Sequence, residues 1–310
     1  MKGLQTGYST RSFLRRVAGL AGVLALGSLT GCFGVKTYSV SKTEIAPNVQ
    51  AATLDELLGK MAAEYSGVQT LNLKVNITAT EGGEHKGEVN ELPSFAGYIL
   101  LRKPNDLRVI MQVPVLRSEA MDMVSDGQSF KLVIPPKSRA IVGSETAPQG
   151  KASGLYNLRP NDVRVALQIP PVGPDDLVAL TLGSRILTPA KGRKGAVEEP
   201  DYDVTVMRAK PSESKYRELE RVRVIHIGRT TLLPYEQDLY DHEGRLVETI
   251  RYDKYAKFGD VDYPMSIFLK RPLSEYTLQI DLLKVTINQE MDDEQFKLDI
   301  PDGMKVEKMQ

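Results

Sequence analysis

The apolar positions change period near residue 67. Leu54, Leu57, Leu58, Met61, Ala62 and Tyr65 recur at helical spacing and make one apolar face. Thr53 stands where an N-cap belongs, and Glu56 three residues on completes a capping box. Gly67 is a helix terminator. Beyond it the period is two. Leu71, Leu73, Val75, Ile77 and Ala79 alternate with Thr70, Asn72, Lys74, Asn76 and Thr78, which predicts a strand with one buried face.

The pattern then repeats in short runs. Phe95–Arg102 and Leu107–Val113 read as strands joined by a turn at Lys103-Pro104-Asn105-Asp106. Ser118–Ser125 and Ser129–Ile134 flank the hairpin signal Asp126-Gly127, and Arg139–Val142 adds a short strand. Pro160 with Asn161-Asp162 opens a short helix to about Gln168, and Asp175–Gly183 reads as a second one. Further strands are expected at Asp203–Arg208, Glu218–Ile227, Pro234–Tyr240, Arg245–Tyr252, Met265–Lys270, Tyr276–Leu283 and Lys284–Asn288. Residues 81–94 and 188–201, rich in Gly, Pro and charge, read as exposed loops. The expected fold is mainly β with a few helices. About eleven strands form an antiparallel β-barrel that is incompletely closed, because closure or near-closure buries one face and limits exposed edges.

The first residues follow another logic. Lys2, Arg11, Arg15 and Arg16 precede an uncharged, mostly apolar stretch of fourteen residues, Val17 to Thr30, and then come Gly31 and Cys32. A basic segment, a short apolar one and small residues describe a secretory signal peptide over 1–31, too short to span a bilayer comfortably. Residues 32–52 have no sustained period and are expected to be a flexible tether, leaving one folded domain over 53–310.

Composition narrows the function. The 310 residues hold 40 basic and 40 acidic side chains, which argues against a nucleic-acid binder that relies on bulk positive charge. Residues 1–31 hold four of the basic residues and none of the acidic ones, so the remainder is acidic by four. A single Cys excludes an internal disulfide and a Cys-rich zinc site.

Catalytic constellations are missing from the sequence. No G-x-S-x-G, G-x-G-x-x-G or P-loop is present, and no cofactor or metal is expected. His85 falls in a charged loop, His226 within a strand beside Val222 and Val224, and His242 in a turn. The last, with Asp241 and Glu243, is explained by turn chemistry rather than by a cation. The expectation is a protein that is not an enzyme.

Leu29-Thr30-Gly31-Cys32 resembles the lipobox of bacterial lipoproteins. The resemblance implies that Cys32 is a lipid attachment point. Several acyl chains make attachment stable where one anchors marginally. Phe33, where that family's inner-membrane sorting pattern has Asp, implies the outer membrane, facing the periplasm.

The order of parts resembles the Lol family of bacterial lipoprotein carriers and receptors, LolA- and LolB-like. The resemblance runs through the capped helix, the alternating strand, Gly97-Tyr98-Ile99-Leu100-Leu101-Arg102-Lys103-Pro104-Asn105-Asp106-Leu107-Arg108, Ser125–Pro135 and Phe296–Val306. It implies helices plugging a half-barrel whose apolar interior receives acyl chains. The candidate inward faces are Leu71, Leu73, Val75 and Ile77, and Leu107, Val109, Met111 and Val113. In the family's receptor an apolar residue protrudes after a strand and a Pro, and Val115 or Leu116 occupies a similar place. The extra loops at 81–94 and 188–201 depart from the family and suggest a different cargo.

The function so implied is non-covalent binding of acyl chains or another hydrophobic ligand by a membrane-anchored periplasmic lipoprotein, in lipoprotein or lipid transfer to the outer membrane. The alternatives are a scaffold lipoprotein docking an envelope partner and, third, a glycan or lipid hydrolase.

Overall fold

Strand β2 (Thr70–Gly83) sits in the middle of the sheet and shows why the chain folds as it does. Its odd-numbered apolar residues from Leu71 to Ala79 are buried. It pairs on one side with β15 (Tyr276–Ile287), Ile77 facing Ile280, and on the other with β4 (Phe95–Arg102), Leu73 facing Ile99. Apolar residues therefore meet apolar residues across both ladders, and each fully buried one contributes roughly 1.5–3 kcal/mol.

The computed structural model describes residues 38, 42–113, 116–146, 158–187, 195–210 and 215–309. In chain order the remaining strands are β1 (Thr43–Ile45), β3 (Glu88–Glu91), β5 (Asp106–Gln112), β6 (Glu119–Ser125), β7 (Ser129–Ile134) and β8 (Arg139–Ser144). Then follow β9 (Leu177–Leu187), β10 (Ala196–Ala209), β11 (Leu219–Gly228), β12 (Leu233–Tyr240), β13 (Leu246–Phe258), β14 (Val261–Arg271) and β16 (Lys305–Met309). The sheet order is β1-β10-β11-β12-β13-β14-β15-β2-β4-β5-β6-β7-β8-β16, with β3 on β2 and β9 on β10. Neighbours are antiparallel except β1 with β10 and β16 with β8. Hydrogen bonds do not close the sheet among the described residues.

Sixteen strands replace the expected eleven. Residues 88–91, expected in a loop, pair with β2. Residues 43–45, expected in the tether, pair with β10, whose first half was expected to be loop. Asp175–Gly183, read as a helix, belongs largely to β9, because eleven residue pairs with β10 outweigh a weak local helical preference. Tyr276–Leu283 and Lys284–Asn288 merge into one strand with a bulge between Leu282 and Lys284, and Leu283 is exposed there.

Two α-helices are described. Helix α1 (Leu54–Gly67) has the expected capping box: Glu56 N–H donates to Thr53 Oγ1 at 3.3 Å, and Thr53 N–H to Glu56 Oε2 at 2.7 Å. Its Leu57 and Met61 pack on Tyr202, Val204, Ile225 and Ile227 of β10 and β11. Ala62 is exposed instead. Helix α2 (Pro160–Leu167) puts Val163, Ala166 and Leu167 into the main core, which draws residues from seven consecutive strands of the sheet, β13 to β6. At about 4.8 Å per strand, one cluster drawing on seven strands requires the sheet to curl around it. The helices cover this inner face. Residues 43–310 form one compact unit, and no described helix is long and apolar enough to cross a membrane.

Candidate functional site

The eight expected inward residues lie on the inner side or beside it. Leu71, Leu73, Val75, Ile77, Leu107 and Val109 are each no more than 3 % exposed, Met111 packs against them, and Val113 is half-buried past the end of β5. All but Val113 form packed core, and none of the eight lines the cleft described next. Cys32 and Val115 lie outside the described residues. Leu116 is 77 % exposed at a tight turn, in which Val113 N–H donates to the Ser118 carbonyl at 2.9 Å and Arg117 has a φ of 51°.

The cleft opens where α1, the end of α2 and the sheet meet. Met61 and Tyr65 of α1, Leu167 and Ile169, Leu233 and Pro234, Tyr252 and Tyr255, and Val261 and Tyr263 make its walls. Lys60, Glu64 and Asp262 stand at it as the charged residues. It encloses about 70 Å³, within a depression of about 610 Å³ that includes space open to solvent. Three of the four tyrosine hydroxyls are already engaged: Tyr255 donates to the Pro234 carbonyl at 2.7 Å, Tyr263 to the Leu167 carbonyl at 2.8 Å, and Tyr252 accepts from Gln237 Nε2 at 2.6 Å. Burial pushes all three phenols up, so they stay neutral. What remains toward the cleft is mostly hydrocarbon.

Helix α2 is held to the sheet by polar contacts at both ends. The last carbonyls of a helix lack internal partners. Here Gln237 Nε2 donates to the Val165 carbonyl at 3.2 Å and Tyr263 to that of Leu167. At the N-terminal end Asp162 accepts from Arg159 N–H at 3.0 Å and is ion-paired with Arg271 of β14. Glu248 of β13 lies 3.7 Å from the same guanidinium, and its Oε1 has no hydrogen-bond partner. Burial and the Asp162 charge push Glu248 well above the carboxylate range, against the pull of Arg271. Two buried carboxylates thus share one guanidinium.

The opposite face of the sheet carries a second polar group of residues. Glu199, Asp201 and Asp203 alternate along β10 with the inward-facing Tyr202 and Val204. Glu199 and Asp201, in a stretch expected to be exposed, are 1 % and 3 % exposed. They fit because Gly228 and Gly183 leave space beside them: a Cβ on Gly228 would stand 3.0 Å from Glu199 Oε1, and one on Gly183 2.6 Å from Asp201 Oδ1. Arg185 pairs with Glu199 at 2.5 Å and lies 3.6 Å over the Tyr235 ring.

Next to them His226 Nδ1 is 2.6 Å from Asp203 Oδ1, and Nε2 is 3.8 Å from Asp238 Oδ2, beyond hydrogen-bond reach. Burial lowers the imidazole's affinity for a proton. The carboxylates of Asp238, Asp203 and Glu236 more than reverse this and hold it at about 9. No sequence spacing announced this grouping. The one available signal was alternation, Asp201-Tyr202-Asp203 and Glu236-Gln237-Asp238, which sends acids to one face and the middle residue to the other. His242, 3.1 Å from Glu220, and His85, 3.1 Å from Glu275, are mostly exposed, and Asp241 accepts from the backbone of Glu243 and Arg245 as a turn residue does.

A curved, open antiparallel sheet with two helices on its inner face is the arrangement that the sequence resemblance led us to expect, and several solved structures are similar to this chain. They include a LolA superfamily protein from Nitrosomonas europaea (16% identity, 80% of this chain and 99% of that one, TM-score 0.46). A DUF1329 family protein from Desulfovibrio piger is similar at 18% identity, over 78% of this chain and 94% of that one, with TM-score 0.48. A protein described as an outer membrane lipoprotein-sorting domain from Vibrio parahaemolyticus is similar at 9% identity, over 78% and 94%, with TM-score 0.45. These scores, all below 0.5, leave the functional argument to the chain's own geometry. No protein-family model matches the sequence, and neither does any curated protein.

Proposed function

We propose that this chain is a lipid-anchored protein of the bacterial envelope that takes an acyl chain, or a ligand of similar chemistry, into the cleft between α1, α2 and β12–β14. The observation that carries this reading is the lining: rings and aliphatic side chains face the opening, while the hydroxyls of Tyr252, Tyr255 and Tyr263 are spent on backbone carbonyls and on Gln237. Such a wall binds hydrocarbon through burial alone, at roughly 0.8 kcal/mol per methylene, and needs no catalytic group. Ligand pockets commonly enclose about 300–1,000 Å³. The cleft encloses far less, so ligand entry requires α1 or α2 to move outward. The fully buried Leu71, Leu73, Val75, Ile77, Leu107 and Val109, with Met111 and Val113 beyond them, then become the floor of the enlarged site. The signal peptide over 1–31 and acylation at Cys32 supply export and the anchor in this reading, and the outer membrane, facing the periplasm, is its location.

The test is a titration of a fluorescent hexadecanoic acid against the purified protein, with Val261→Arg as the blocking variant at the mouth. Saturable binding that weakens at least tenfold in the variant, with an unchanged circular-dichroism spectrum, supports the reading. Absence of saturable binding, or equal binding by the variant, rejects it.

A scaffold reading has one observation in its favour. The inner face is filled by side chains, while Leu182 and Ile186 of β9 are 70 % and 61 % exposed. Stable capture of an envelope protein that is lost in Leu182→Glu, together with no binding of the fatty-acid probe, would favour it over ligand carriage.

A further inference from the structure

We propose that His226, Glu236 and Asp238 form a binding site for one divalent transition-metal ion, Zn²⁺ being the best match, on the outer face of β11 and β12. The site is separate from the cleft, since Ile225 and Ile227 of β11 and Gln237 of β12, the sequence neighbours of the ligands, point to the inner side.

Three observations carry it. The first is convergence. One ligand atom from each residue lies within 4.8 Å of the other two. Zinc holds nitrogen and oxygen at about 2.0–2.2 Å, so two ligands stand at most about 4.4 Å apart, and small side-chain rotations close the set. Strand pairing supplies the arrangement: Glu236 is directly opposite His226, Asp238 is its diagonal neighbour, and a bulge after His226 sets the register.

The second is that the other polar atom of every ligand is already held. Asp203 Oδ1 is 2.6 Å from His226 Nδ1, Thr249 Oγ1 donates to Asp238 Oδ1 at 2.5 Å, and Arg251 Nε donates to Glu236 Oε2 at 2.5 Å. These contacts leave His226 Nε2, Asp238 Oδ2 and Glu236 Oε1 as the atoms available to an ion, the first two 3.8 Å apart. A carboxylate on the far nitrogen of an imidazole is the outer contact that orients a metal-binding histidine.

The third is independent of the acids. His226 Nε2 is shut off from solvent and has no hydrogen-bond partner. A buried polar atom left so is costly unless something binds it. Asp238 Oδ2, at 3.8 Å, is too far to do this directly, and a metal ion between the two, displacing the Nε2 proton to solvent, satisfies both. An imidazole with two carboxylates selects zinc or a neighbouring transition metal over Mg²⁺ and Ca²⁺, which take all-oxygen sites. Three protein ligands leave at least one position for water or an external anion.

The test is calorimetric titration of the metal-free protein with ZnCl₂ in a non-chelating buffer, in a Cys32→Ser background so that the sole thiol does not compete. The expected result is one ion per chain and a rise in Tm with zinc. Affinity should fall at least tenfold in His226→Ala and in the near-isosteric Glu236→Gln, and stay unchanged in His242→Ala. Circular dichroism confirms that each variant is folded. Lack of saturable zinc binding overturns the proposal. So does binding that survives both His226→Ala and Glu236→Gln, or Mg²⁺ binding as tightly as Zn²⁺, since either outcome reduces the site to unspecific acidic attraction.

Discussion

The Tyr263 hydroxyl donates to the Leu167 carbonyl at 2.8 Å, so β14 holds the last turn of α2 from inside the curved sheet. The bond satisfies a carbonyl that the helix itself leaves unpaired. Removing the hydroxyl strands that carbonyl in a buried place, at a cost of about 1–3 kcal/mol. Tyr263→Phe should therefore lower stability to denaturant by that amount. It should also speed uptake of the fatty-acid probe, because the helix that must move is held less firmly. Stopped-flow uptake no faster than in the unmodified protein, despite lower stability, would show that α2 is not the element that opens.

Glu248 makes stability depend on pH. Its folded-state pKa is raised above the ordinary 4.5, by burial first and by the Asp162 charge second. Its stabilising contribution is complete below the unfolded value and is lost as pH rises from there through the folded one, because the unfolded chain releases a proton that the folded chain keeps. Glu248→Gln has no proton to lose. Urea midpoints at pH 5 and pH 8 should therefore fall less with rising pH in the variant than in the unmodified protein. Parallel pH dependences would place an ionised carboxylate at this position.

How much of this was legible follows from where the information sits. The face of β2 and the cap of α1 are local patterns, and both appear as read: Leu71 to Ala79 turn inward on alternate positions, and Thr53 and Glu56 bond each other's backbone. Strand β9 was misread because Leu177, Val178, Leu180 and Leu182 fit a helix nearly as well as a strand, and what decides between them is β10, which lies across residues 188–194. The burial of Glu199 and Asp201 was invisible for a related reason. It depends on glycines at 183 and 228, which come alongside only after β9, β10 and β11 have paired. The cleft shares that character, drawing on α1, the segment after α2, and three strands.

Two glycines should respond to alanine with opposite signs. A Cβ on Gly97 of β4 would stand 2.1 Å from the Ile110 carbonyl oxygen of β5, so the ladder must shift. Such overpacking costs typically 1–3 kcal/mol. Gly59, inside α1, has nothing within 4 Å of the same position, and a helix-interior Gly→Ala change gains roughly 0.5–1 kcal/mol. Thermal melts should show Gly97→Ala below and Gly59→Ala above the unmodified protein. A stabilised Gly97→Ala would mean that β4 and β5 do not pair in this register.

The anchor proposed at Cys32 has a direct readout. Several acyl chains, at about 0.8 kcal/mol per buried methylene, make membrane attachment stable where a single chain gives only marginal binding. Protein extracted from membranes should carry the added mass of its acyl groups on an N-terminal Cys32, and Cys32→Ser should move to the soluble fraction. A Cys32→Ser protein that still resists a carbonate wash would locate the attachment elsewhere.

Leu116 offers a separate test of contact with a bilayer. Its side chain is 77 % exposed at the turn after β5, where an aliphatic group has no internal packing to lose. Leu116→Glu should leave stability within about 0.5 kcal/mol, as surface changes do. Placing a carboxylate at a membrane-touching tip opposes insertion, because burying an unpaired charge is costly. In the Cys32→Ser background, flotation with phosphatidylethanolamine–phosphatidylglycerol vesicles should then fall several-fold in Leu116→Glu and rise in Leu116→Trp, whose ring favours the interface. Equal flotation of all three proteins would mean that the tip stays clear of the membrane, and that the lipid anchor alone brings the cleft to its ligand.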